Sequence, residues 1–138
     1  MFSLRRSRLA RLRLRSLRGL ARLFLSAHSS EARGLRLLRS WLSAEQRAQF
    51  DATRYFDVIG CDSGKRYRIY YGVATNVHEM NAAGRPKAGW CFAPVGYLVA
   101  GDIMLAQKIA LETDELGALA VANAFLPREP SPNQAWPA

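Results

Sequence analysis

This sequence predicts an α+β fold carrying a separate cationic arm, and three observations lead there. Apolar residues recur at helical spacing up to about residue 53, alternate at period 2 around residues 65–71, and return to an Ala- and Leu-rich helical run after residue 101. Glycine-containing polar turns punctuate only the middle of the chain. Charge is partitioned as well: residues 1–39 hold eleven Arg, no Lys and one acid, Glu31, whereas residues 40–138 hold nine Lys or Arg against ten acids. The expected architecture is a small antiparallel β-meander of three to four strands packed by one long C-terminal helix. Short helices precede the sheet, and the Arg-rich N-terminal helix lies outside the core. Three segments follow: an arm at 1–34, one α+β domain at 35–126 and a Pro-rich disordered tail at 127–138.

In the arm, Arg8, Arg11, Arg15, Arg18 and Arg22 are spaced 3, 4, 3 and 4 residues apart, which places them on one face of a helix. Leu9, Leu12, Leu14, Leu17, Leu20 and Leu23 fill the remaining circumference. Arg and Leu both favour helix, so a helix over residues 4–25, about 33 Å long, is predicted. Recurrent Arg excludes a transmembrane span, and Leu23-Phe24-Leu25 is too short for the apolar region of a secretory signal. An amphipathic cationic helix fits an anionic membrane surface or a nucleic-acid backbone. Its Arg-rich, acid-free composition over residues 1–30 also fits a cleavable organellar presequence, and a solvated extension upstream of the true start is the plainest alternative.

His28-Ser29-Ser30-Glu31 and Gly34 read as a break, after which Leu35, Leu38 and Leu42 mark a short helix. Ser43-Ala44-Glu45-Gln46 has the form of a capping box and predicts a second helix over residues 44–53. Phe56-Asp57-Val58-Ile59 and residues 65–71 form a hairpin around the turn Cys61-Asp62-Ser63-Gly64. Residues 73–80 supply a third strand and Gly89-Trp90-Cys91-Phe92-Ala93 a fourth. Asp102 reads as the N-cap of a single helix over 103–125, with Lys108, Glu112, Thr113, Asp114 and Glu115 on its solvated face.

Leu42-Ser43-Ala44-Glu45-Gln46, Ser63-Gly64-Lys65-Arg66-Tyr67-Arg68-Ile69, Trp90-Cys91-Phe92-Ala93-Pro94 and the run from Gly101-Asp102-Ile103-Met104 through Ala110-Leu111-Glu112 together carry a resemblance. Over residues 35–125 the chain resembles a family of small uncharacterised bacterial proteins. The resemblance implies no activity, and the Arg-rich arm lies outside it.

Few residues offer chemistry. Gly60 to Arg66 lacks the spacing and the Ser or Thr of a phosphate-binding loop, and a strand follows it, so it is a hairpin turn. Cys61, Cys91, His78 and Asp62 show no metal-ligand spacing, and no metal or other cofactor is expected. Two unrelated Cys suggest a reducing, cytoplasmic setting, with peripheral membrane attachment open to the arm. Cys91 between Trp90 and Phe92 reads as a buried small side chain. A small enzyme using Cys91 with His78 as base is the alternative of a different class. Lys65, Arg66, Arg68 and Tyr70 form the candidate binding strand beyond the arm, because guanidiniums beside an aromatic hold phosphates and stack bases. The plainer reading, and the favoured one, is that exposed hairpin positions of this kind keep a strand soluble. The functional expectation is a non-enzymatic binding or accessory protein whose partner is an anionic polymer or an anionic membrane surface.

Overall fold

The computed structural model describes residues 29–128. The arm helix expected over residues 4–25, with Arg8, Arg11, Arg15, Arg18 and Arg22, therefore lies outside the described residues, as does nearly all of the Pro-rich tail. The order of elements is α1 (Ser30–Trp41), α2 (Ala44–Thr53), β1 (Tyr55–Ile59), β2 (Arg66–Tyr70), β3 (Val77–Met80), β4 (Pro86–Cys91), α3 (Ala100–Thr113), α4 (Glu115–Val121) and β5 (Asn123–Phe125). The fold is α+β, with one five-stranded antiparallel sheet in the order β1-β2-β3-β4-β5.

The capping box closes as its spacing predicts. Ser43 Oγ accepts from the Gln46 amide and Gln46 Oε1 accepts from the Ser43 amide, both at 3.1 Å. The same Gln46 side chain donates to the Asp57 carbonyl at 2.9 Å, while the Asp57 amide donates to Gln49 Oε1 at 2.8 Å. Helix α2 thus occupies the outward backbone groups at the middle of edge strand β1, where another strand could otherwise pair. At the hairpin, Gly64 takes a φ of 72°, the left-handed conformation that such a turn requires.

Alternation sorts the sheet into two faces. Phe56, Val58, Tyr67, Ile69 and Val77 point to the face where Leu38, Phe50, Met104, Leu105 and Leu111 complete the core. Tyr55, Asp57, Arg66, Arg68, Tyr70 and His78 point to the other.

Several elements differ from expectation. Gly34 is inside α1 rather than at a break, and it is buried against α3: a methyl there would meet Val99 Cγ2 at 2.6 Å. Strand β3 begins only at Val77. Asn76 folds the preceding residues back by donating to the Tyr70 carbonyl at 3.1 Å, and it exchanges amide hydrogen bonds of 2.8 and 2.9 Å with buried Gln107. Strand β4 reaches back to Pro86 through a bulge opposite Glu79 and Met80. Asp102 is not an N-cap: α3 starts at Ala100 with Val99 in that position, and Asp102 sits in the first turn.

The single helix over 103–125 is three elements. Asp114, with φ −151° and ψ 63°, breaks it and caps α4 by accepting from the Gly117 amide at 3.2 Å. The chain then enters β5 against β4. The polar cluster is a solvated face only in part: Thr113 and Asp114 are exposed, whereas Lys108 is buried and donates to Glu112 at 2.5 Å, and Glu115 is 1% exposed. Among the described residues no helix is long and apolar enough to cross a membrane.

Candidate functional site

The candidate strand β2 is held by the hairpin register that pairs Asp57 with Arg68. The Arg68 guanidinium grips the Asp57 carboxylate through two bonds, Nε to Oδ1 at 2.9 Å and Nη2 to Oδ2 at 3.1 Å. Those bonds push its pKa still higher, against the cost of burial, so it is charged at every working pH. The same guanidinium lies 4.2 Å from the centre of the Tyr55 ring.

An aromatic row extends from there. The Tyr55 and Tyr70 rings are 5.2 Å apart, Tyr70 and His78 4.8 Å, and His78 and Phe125 5.7 Å. These residues come from β1, β2, β3 and β5. Strand β4 contributes Gly89, paired with His78 on one side and Phe125 on the other. Its missing side chain lets the Phe125 ring lie over β4, because a methyl at Gly89 would fall inside that ring's van der Waals envelope.

Arg66, Arg68 and Tyr70 therefore share one face, and Arg66 is exposed on it. Lys65 does not join them. Its ammonium turns to the helix-covered side and pairs with buried Glu79 at 3.2 Å. Sequence reasoning missed Tyr55, His78, Gly89 and Phe125 in this face. Tyr55 was legible from its alternation with Asp57, whereas Phe125 was hidden inside an expected helix.

His78 is 8% exposed, and its Nδ1 has no hydrogen-bond partner among the described residues. Burial, assisted by the Arg68 charge, lowers its pKa below the usual value. No hydrogen bond joins it to Cys91, which is only partly buried.

A second cluster surrounds the hairpin turn, where ligand atoms of Cys61, Asp62 and Glu115 lie within 4.8 Å of one another. His78 and Cys91 do not belong to it. The Glu115 carboxylate is already saturated: Oε2 accepts the Asp62 and Ser63 amides at 2.9 and 2.8 Å, and Oε1 accepts the Tyr67 hydroxyl at 2.6 Å together with the Ser63 hydroxyl. Four donors fill its four lone-pair directions, leaving none for a metal ion. Burial alone would raise its pKa, but these bonds outweigh that and hold it at about 2. Tyr67 is correspondingly pushed up, by burial and by the carboxylate beside it.

The turn also caps two helices. The Cys61 amide donates to the Leu111 carbonyl at 3.0 Å, at the end of α3. Cys61 Sγ and Asp62 Oδ2 accept the Glu115 and Leu116 amides, at 3.4 and 3.1 Å, at the start of α4. This cluster is a structural clip. One apolar cleft of about 270 Å³, between Phe92, Pro94, Ala110 and Val121, has no ionisable side chain in its lining. Comparison with protein-family profiles, curated proteins and solved structures gives no match to this chain.

Proposed function

We propose that this is a small non-enzymatic binding protein that holds an anionic partner, using its Arg-rich N-terminal segment together with the cationic, aromatic face of β2. The observation that carries the reading is the charge partition: eleven Arg against one acid in residues 1–39, joined to a near-neutral remainder. Side chains on a helical stripe can reach successive phosphates or anionic headgroups, and release of condensed counterions then drives binding. Arg66, exposed on the open sheet face, adds a cation on a rigid element. The clusters that suggest other chemistry support it less, since Glu115 is spent on a clip and Cys91 has no base bonded to it among the described residues.

The test is binding of the full chain to fluorescein-labelled 20-nucleotide RNA and DNA, and to phosphatidylglycerol vesicles, across a salt series. Affinity should fall steeply with salt, and replacing Arg8, Arg11, Arg15, Arg18 and Arg22 by Gln should flatten the slope. Absence of binding to every polyanion, or binding that salt does not weaken, would refute the proposal.

A further inference from the structure

The polyanion reading leaves the partner's class open, and the open sheet face narrows it. Resting on that reading, we infer that this face is a stacking platform for single-stranded nucleic acid, with Tyr70 and Phe125 under the bases and Arg66 beside the backbone.

The geometry argues for bases. The row from Tyr55 to Phe125 takes rings from β1, β2, β3 and β5, and its steps of 5.2, 4.8 and 5.7 Å give a span of at most about 16 Å. That is room for about two or three bases, each lying on a ring of the face. Tyr70 and Phe125 are each half-buried, so both rings keep accessible surface while their neighbours fix their orientation. A ring held in place loses little entropy when a base lands on it, and every base presents a π-face.

The charges agree. Asp57 is neutralised by Arg68, and Glu79 is turned to the opposite side with Lys65, so the charge of Arg66, without an ion pair among the described residues, dominates this part of the face. Arg68, held by Asp57 at 4.2 Å from the centre of the Tyr55 ring, covers that ring and adds a guanidinium to the row.

The other polyanions fit less well. A five-stranded face about 19 Å across is too wide for the B-DNA major groove, about 12 Å. A membrane surface would draw such rings down to headgroup depth, and rings packed against one another on a rigid sheet have little freedom to move there.

The experiment measures, by anisotropy at fixed salt, full-chain binding to 20-nucleotide poly-U and poly-dT, to a duplex of equal length, and to phosphatidylglycerol vesicles. The variants are Tyr70→Leu, Phe125→Leu and, as a ring-preserving control, Tyr70→Phe, each confirmed folded by its thermal transition. Single strands should bind more tightly than duplex. Each Leu variant should weaken single-strand binding about 5- to 100-fold, as loss of one stacked base predicts, and leave vesicle binding unchanged. Tyr70→Phe should retain wild-type affinity. Single-strand affinity unaffected by both Leu changes, a preference for duplex, or binding to vesicles alone would each overturn the platform while leaving the polyanion reading intact. Absence of binding to all of these probes would overturn both.

Discussion

Replacing Glu115 by Gln tests whether the clip at the hairpin turn is a principal support of the fold. In the wild type, four donors converge on a carboxylate that is 1% exposed. Gln presents one oxygen and an NH₂ group, so at least one donor from Asp62, Ser63 or Tyr67 would face another donor. The size follows from proton linkage. A carboxyl held at about 2 in the folded chain, against about 4.3 when unfolded, contributes about 3 kcal/mol at neutral pH. Because the folded value is the lower one, that stability is fully present above about pH 5 and drains away as pH falls toward 2. Urea unfolding at pH 7 should show Glu115→Gln to be about 3 kcal/mol less stable, and the difference should shrink steadily at acid pH as the wild type protonates. A difference below 1 kcal/mol at pH 7, or a gap that stays constant down to pH 3, would refute the assignment.

Gly89→Ala should push the Phe125 ring off β4 and loosen β5, costing about 1–3 kcal/mol by overpacking; a wild-type thermal midpoint would contradict the close approach of ring and backbone. His78, whose pKa is lowered by burial and by Arg68, takes up a proton in the unfolded chain at a pH where the native chain does not. Stability should therefore decline as pH drops below about 6.5, and His78→Phe should remove that component of the pH dependence of the urea midpoint. Equal pH dependence in both proteins would place the group elsewhere. Alkylation followed by peptide mapping should modify exposed Cys61 before partly buried Cys91; the reverse order would mean that Cys91 is activated and would revive the enzyme alternative.

The legible parts of the fold were those whose signal is local. The Ser43–Gln46 capping box, the Gly64 turn and the alternation of Tyr67, Arg68, Ile69 and Tyr70 each depend on residues within a few positions of one another, and each predicted its element. The failures share a cause. Residues 103–125 are rich in Ala and Leu with no Pro, so nothing local outweighs helix propensity. The break at Asp114 is fixed by the Cys61–Asp62 turn, which satisfies the first amides of α4 from more than fifty residues upstream. Three residues of β5 show no periodicity, and β4 imposes their extended form. The burial of Glu115 was illegible for the same reason, since its four donors all lie between Asp62 and Tyr67. The candidate face was half legible: strand period gave Arg66, Arg68 and Tyr70, and only sheet order could add His78 and Phe125.

That contrast bears on how an external anion could be held. Backbone amides in a tight turn and at a helix start form preorganised anion sites in many proteins. Here the amides of Asp62 and Ser63 are taken by Glu115, and those of Glu115, Leu116 and Gly117 by Cys61, Asp62 and Asp114. The fold thus satisfies its turn and α4 amides internally, with its own carboxylates and one thiol. At this turn the polyanion proposed above finds no free amides, so the reading rests on guanidinium side chains and aromatic faces, of which Arg66, Tyr70 and Phe125 lie on the sheet. Binding through such groups scales with the number of phosphates neutralised, so it should be strongly salt-dependent and divisible among several Arg residues. A preformed amide cradle would instead fail all at once on a single substitution.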